Sequence, residues 1–309
     1  MRNTFIQTMI ELARQDPTIM LVIGDTGFSV VEPFEQEFKE RFVNVGIAEQ
    51  NFVAFAAGAA AMGMKPFAYN VVSFMTLRAA EHILLDVCYQ ENPVVLVGVG
   101  GGFAYGSAGP THHALQDIAM MRCIPNMTVY CPGDPVEMKA VMLEAARLNK
   151  PAYIRIGRSV DPIVHHEEIH FETGKAIPMC EGKDVAILAC GTMLKEAVRT
   201  CNMLKEKGIS CSLYSFPTIK PLDVQTVLMC AKTHKLICTV EEHSVIGGFG
   251  SAVAEALSST PGEKALHKCY GVPDSFAMVT GTREYQLEYF GISPEKMAQD
   301  ILKTWETCK

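Results

Sequence analysis

The sequence has no C-x-x-C pair among its 11 cysteines, so the common structural zinc and dithiol redox motifs are absent. Positive charge is not in excess: 27 lysines and arginines stand against 34 acids, a net charge of −7. Neutralising a phosphate backbone needs a basic face, so no nucleic-acid partner is expected. Long hydrophobic runs are also missing. The most apolar stretch, 93–102, is about half of the roughly 20 residues needed to cross a bilayer. Met1-Arg2-Asn3-Thr4 has none of the apolar character of a secretory leader. No membrane association is therefore expected, and the thiols read as reduced, mostly buried groups of a cytoplasmic protein. There is no internal repeat or low-complexity tract. With 49% hydrophobic and 20% charged residues, disorder and coiled coil are excluded.

What remains is a globular chain of 309 residues, long enough for about two domains. Its first half alternates apolar runs with helical patterns. Strands are expected over 19–24, 41–46, 66–72, 93–99, 127–130 and 152–156. Helices are expected over 4–14, 49–63, 77–90 and 135–148. This alternation implies a largely parallel sheet with helices on both faces. Around 161–183 the pattern dissolves into His165-His166-Glu167-Glu168 and Glu181-Gly182-Lys183, read as a solvated linker. A second, smaller α/β unit follows, with strands at 184–190, 210–214 and 236–240 and helices at 194–207, 223–233 and after Gly250. The division is 1–165, a linker 166–183, and 184–309.

In an open α/β sheet, ligands gather at the carboxyl ends of the strands. Glu49 falls there, between a strand and a helix whose next residues are almost wholly apolar. A first-turn acid gains roughly 0.3–1 kcal/mol from the helix dipole, which is reason enough for its presence. The chemical reading is a carboxyl in apolar surroundings that exchanges a proton with a ligand nitrogen. Gly98 to His113 is a glycine-rich loop, but Phe103 stands where a dinucleotide fingerprint needs its third glycine. His112-His113 with Asp117 is too thin a set for a metal. Glu241-Glu242-His243 and Gly247-Gly248-Phe249-Gly250 read as strand-end packing and dimer contacts.

Four strings then occur in order: Gly46-Ile-Ala-Glu-Gln-Asn51, Gly109-Pro-Thr-His-His113, Phe216-Pro-Thr-Ile-Lys-Pro-Leu-Asp223, and Val240-Glu-Glu-His243 with Gly247-Gly-Phe-Gly250. Together they resemble the C-terminal half of a transketolase across essentially the whole chain. The resemblance implies a pyrimidine-binding domain followed by the family's C-terminal domain. The family's Gly-Asp-Gly…Asn motif, which holds a diphosphate and a divalent metal, has no counterpart here; the nearest string is Gly24-Asp25-Thr26. The chain thus resembles one subunit of a split transketolase. Its N-terminal partner subunit would hold the diphosphate and Mg²⁺ (or Ca²⁺), this chain would hold no metal, and the assembly would be an α2β2 heterotetramer.

The resemblance also implies roles. Glu49 matches the glutamate that hydrogen-bonds the pyrimidine nitrogen of thiamin diphosphate and favours its imino tautomer. Phe74 matches an aromatic packed on that ring, with Val71 where the family has a second. Asp25 matches an acid near the cofactor. His112 matches a histidine facing the donor sugar. Arg2, Ser29 and Arg158 match a set that binds the distal phosphate. Two departures alter the sugar pocket: Ala108 replaces an aspartate and Gly100 a histidine. The implied activity is transfer of a two-carbon ketol unit between phosphorylated or similarly anionic sugars. Rival readings are a deoxyxylulose-phosphate synthase-like or 2-oxo-acid dehydrogenase beta-like subunit, or a non-catalytic scaffold.

Overall fold

The structure, a computed structural model, describes residues 1–158, 161–262 and 264–308. Apolar runs such as Ile-Met-Leu-Val-Ile and Val-Leu-Val-Gly-Val have no polar face, so they become strands buried on both sides. These strands are β1 (Ile19–Ile23), β2 (Phe42–Asn44), β3 (Lys65–Val71), β4 (Val95–Val99), β5 (Thr128–Tyr130) and β6 (Ala152–Ile156). They lie parallel in the order β5-β6-β4-β3-β1-β2. Helices Arg2–Gln15 and Pro135–Leu148 cover one face, where Phe5, Met9, Met138 and Val141 share a core with Leu21, Val97 and Ile154. Helices Glu49–Ala61 and Val72–Arg78 and the π-helical segment Ile83–Tyr89 cover the other. There Phe52, Met75 and Ile83 meet Val22 and Leu96.

The helix 135–148 appears with the expected ends because both are capped. Asp134 accepts from the Val136 and Glu137 N–H groups, Pro135 needs no donor partner, and Asn149 closes the helix at φ 51°. The helix expected at 77–90 instead begins at Val72. Val72 is buried and β-branched, and so was indistinguishable from the end of β3; the helix stops at Arg78, and Ala80–His82 and Ile83–Tyr89 follow as separate segments.

The strands of the second half are β7 (Ile177–Cys180), β8 (Val185–Ala189), β9 (Cys211–Ser215), β11 (Leu236–Ser244) and β12 (Leu266–Val272). They form a five-stranded sheet in the order β12-β11-β8-β9-β7. All pairs are parallel except β7 with β9. Between β9 and β11 the chain reaches back: β10 (Thr218–Lys220) pairs antiparallel with β5 and makes the first sheet seven-stranded. A strand of three residues has no periodicity to read, so only tertiary structure reveals it.

The 166–183 segment ends in β7, and His165 is not solvated. It is buried, with Nε2 2.7 Å from Glu137 Oε1. Burial alone would lower its pKa, but the bond to Glu137 and that carboxylate's charge carry it above the ordinary value. No helix among the described residues is long and apolar enough to cross a membrane.

Candidate active site

The topology collects the expected site residues on one edge. Asp25 and Ser29 follow β1, Glu49 follows β2, Phe74 follows β3, His112 follows β4 and Arg158 follows β6. Arg2 opens a helix that runs antiparallel to the strands, so it returns to the same edge. The Met1 amino group is tied there by Asp161 Oδ2 at 3.0 Å.

Several of these side chains form one continuous line. Glu49 is buried, and its Oε1 accepts from Arg78 Nη1 at 2.8 Å. The carboxyl therefore faces a guanidinium, which corrects the expectation of purely apolar surroundings. Arg78 and Phe74 are one helical turn apart, and the guanidinium lies 4.3 Å from the Phe74 ring centroid. Phe74 meets His112 edge-on at 5.0 Å, and His112 lies 5.9 Å from Tyr105. Tyr105 carries Arg158 over its ring at 4.6 Å.

Tyr105 was not anticipated, and it explains Gly100. That glycine sits at φ +91°, and a Cβ on it would run into the Tyr105 ring. The space a side chain at position 100 would take is thus filled by a phenol from five residues later. Burial raises the Tyr105 pKa, opposed by the charges of Arg158 and Arg2. Arg2 is near enough for its charge to be felt at Tyr105 and at the buried Tyr69, whose pKa burial raises and Arg2 opposes. Ser29 stands apart: its N–H donates to Glu32 Oε1 at 2.7 Å. Asp25 exchanges hydrogen bonds with Asn44 at 3.0 and 3.2 Å. Asp25 and Ser29 are both held in left-handed backbone, φ 54° and 64°, a strain that clusters at ligand-binding loops.

Polar groups beside this line lack partners. Asn70 Nδ2 and Ser73 Oγ are buried with no hydrogen-bond partner among the described residues. Asn70 closes β3 against Gly24, and Ser73 precedes Phe74. Buried donors are normally paired. A polar heteroaromatic ring near Phe74 and Glu49 would satisfy them, so these residues fit the pyrimidine end of thiamin diphosphate. No three His, Cys, Asp or Glu side chains among the described residues are grouped to hold a metal. Asp117 is occupied instead, by Arg155 Nε at 2.8 Å and the Tyr153 hydroxyl at 2.7 Å.

The site rests on a buried polar lock between the two sheets. Arg155 also donates from Nη2 to Ala114 O and Glu242 O, at 2.9 and 2.8 Å. Glu242 accepts from the Phe103 N–H at 2.7 Å, Thr192 Oγ1 at 2.9 Å and Arg283 Nε at 2.8 Å. Gly102, at φ +64°, leaves room for that carboxylate. Glu241 turns the other way and accepts from the Phe249 and Gly250 N–H groups at 2.7 and 2.8 Å. Burial raises its pKa to about 7, opposed by those two bonds. Glu241 and Glu242 are thus strand-end packing. A cavity of about 330 Å³ lies beside the lock, lined by Gly101, Gly133, Arg158, Thr192, Lys195 and Arg283.

Comparison with known proteins is consistent with this geometry. Residues 1–161 match the family model "Transketolase, pyrimidine binding domain", and 174–297 match "Transketolase, C-terminal domain". The chain is 36% identical over 304 residues to an apulose-4-phosphate transketolase subunit of Phocaeicola vulgatus, covering 98% of this chain and 96% of that one. It is 38% identical over 305 residues to "1-deoxy-D-xylulose-5-phosphate synthase" of Syntrophus aciditrophicus, covering 97% of this chain but 46% of that one. A solved "Split gene transketolase, inactive beta4 tetramer" superposes with TM-score 0.89 at 35% identity, covering 100% of this chain and 98% of that one.

Proposed function

The chain belongs to the transketolase family, and on that premise we propose that it is the pyrimidine-binding subunit of a two-chain, thiamin-diphosphate-dependent transketolase acting on anionic sugars. The observation that carries this reading is the line Glu49–Arg78–Phe74–His112–Tyr105–Arg158 along one sheet edge. It combines a proton-handling carboxyl, an aromatic ring and a cation within one surface. The proposed division is 1–165 and 184–309, joined by 166–183, whose end docks as β7.

When bound, thiamin diphosphate supplies the electron sink for breaking the bond beside the donor carbonyl. Glu49 holds a proton at the pyrimidine ring nitrogen, and Arg78 fixes the carboxyl in place. Phe74 packs on the ring, with Asn70 and Ser73 meeting its polar edge and Asp25 near its rim. His112 faces the sugar hydroxyls. Arg2 and Arg158, with Ser29, take the distal anion; the names of both relatives above contain a phosphate ester.

The diphosphate and Mg²⁺ (or Ca²⁺) are assigned to an N-terminal partner subunit. Two features support a partner. The split-gene relative of this chain is an inactive tetramer by itself. Here Ile47, Phe55, Leu77, Leu84 and Leu85 stay exposed on and beside the helices that carry Glu49 and Phe74, and such apolar surface marks interfaces. Self-association in an α2β2 assembly is the proposed arrangement.

Titration calorimetry tests the proposal. Alone, the chain should bind thiamin diphosphate weakly, because the charged half of the cofactor lacks its metal and ligands. Adding the N-terminal partner and magnesium should restore tight binding and ketol transfer. Micromolar binding by the single chain with magnesium would overturn the split assignment.

Arg158 provides a second test. A charge-assisted hydrogen bond contributes roughly 1.5–3 kcal/mol net, so Arg158→Ala should lower kcat/KM for an anionic sugar by about 10–100-fold. The uncharged analogue should barely respond. Equal losses on both substrates would mean that Arg158 supports only Tyr105 and the loop.

A further inference from the structure

Three cysteines far apart in sequence meet in the second domain, away from the site described above. Cys180 ends the edge strand β7, Cys211 begins β9, and Cys201 lies on the helix Leu194–Glu206. Cys180 is exposed, whereas Cys201 and Cys211 are buried. The Cys180 thiol donates to Cys211 O at 3.4 Å. Cys201 and Cys211 stand close enough to it that the three thiols perturb one another's ionisation. All three line a cavity of about 400 Å³, together with Asn202 and Lys205. A substrate can therefore reach the outer sulfur, while the buried Cys201 lines the same cavity.

We propose that Cys180 is an oxidative modification site, a peroxidatic thiol for small hydroperoxides, with Cys201 as the thiol that resolves it to an intramolecular disulfide.

The electrostatics agree with the geometry. The Cys201 hydrogen bond, the Leu213 N–H and the charge of Lys205 bring the Cys180 thiol down to about 7. Cys201, as donor to Cys180 and Cys211, is pushed up and stays protonated. The other titratable groups facing the pair are Glu181 beside it and Tyr214 on β9. Both are acids, so they oppose the thiolate rather than create it.

The chemistry balances in two steps. The Cys180 thiolate attacks the distal oxygen of the hydroperoxide, the O–O bond breaks, and the alkoxide takes a proton and leaves as an alcohol, or as water from hydrogen peroxide. Cys180 is then a sulfenic acid. The Cys201 sulfur attacks that sulfur, an S–S bond forms and the S–O bond breaks. The departing hydroxide takes the Cys201 proton and leaves as water. Two thiols lose two electrons and the peroxide gains them. Bringing the two sulfurs to bonding distance needs a rotamer change and a small shift of β7, which as an edge strand has only β9 to release.

The test uses the full-length chain and hydrogen peroxide. Peptide mapping should find a Cys180–Cys201 disulfide as the first oxidation product. Cys201→Ser should stall at a Cys180 sulfenic acid that dimedone traps, and Cys180→Ser should form neither species. Iodoacetamide at pH 7 should label Cys180 about 3–10-fold faster than exposed Cys123, since a larger thiolate fraction outweighs its lower nucleophilicity. Labelling of Cys180 no faster than Cys123 would overturn the proposal. So would oxidation that leaves Cys180 and Cys201 unlinked while other cysteines react. Neither result bears on the transketolase reading, because the two sites share no residue.

Discussion

Glu49→Gln is expected to lower kcat of the assembled two-chain enzyme by about 10²–10⁴, the usual contribution of a positioned acid–base group. The amide keeps the shape of the side chain and can still meet Arg78, but it no longer exchanges a proton with a ring nitrogen. Because Arg78 is half exposed, water replaces what the guanidinium loses. Unfolding stability should therefore change by no more than about 1 kcal/mol. The measurement pairs steady-state kinetics with thiamin diphosphate loading and thermal unfolding. Loading should persist, through Phe74 and the partner subunit, while turnover collapses. Turnover within about threefold of wild type, at full loading, would remove Glu49 from the chemistry.

Arg155→Met should cost about 3–5 kcal/mol of stability, the typical penalty for stripping one partner from a buried ion pair. Arg155 and Asp117 are both almost fully buried, and their 2.8 Å contact is shielded from water. Methionine matches much of the volume but leaves the Asp117 carboxylate with only the Tyr153 hydroxyl. It also takes the guanidinium away from Glu242 O and from Ala114 O, which keeps only the Gly102 N–H, and so cuts the bridge between the glycine-rich loop and β11. Denaturant midpoints report the loss. Adding Asp117→Asn to Arg155→Met should recover part of it, because the stranded charge is gone, and the double-mutant cycle measures the coupling. A loss below about 1 kcal/mol for the single change would mean that the pair breaks even with packing. The loop carries His112 and Tyr105, so Arg155→Met should also weaken donor-sugar binding in protein that remains folded.

Most of the site was readable without coordinates because its parts hang on strand ends. Once buried runs of the type Ile19–Ile23 or Val95–Val99 are recognised as parallel strands, whatever follows each run lies on one edge. That rule put Asp25, Glu49 and His112 on one edge; Phe74 and Arg158 joined the candidate site only through the family resemblance, and both follow strands of the same sheet. Arg78 and Tyr105 escaped for different reasons. Arg78 fell unmarked inside the helix expected at 77–90, since its value depends on where the helix Val72–Arg78 begins. Tyr105 lies in an irregular loop, and its pairing with Gly100 follows from a positive φ that no periodicity encodes.

The order of apolar runs, glycines and caps determined the α/β class, the strand succession of the first sheet and the edge on which chemistry collects. Those features follow from local hydrophobic pattern and from the handedness of strand–helix–strand connections. Tertiary structure alone decided three things. It sent β10 back to pair with β5, because three residues gain a partner only where an open edge awaits them. It chose the partners for Glu241 and Glu242, which strand alternation sends to opposite sides of β11: a helix start for one and the other domain for the other. It buried His165 on Glu137 and gathered Cys180, Cys201 and Cys211 around one cavity. The partners that decide these outcomes are supplied by other elements, as in the His165–Glu137 bond across 28 positions. A linear pattern carries no record of such encounters.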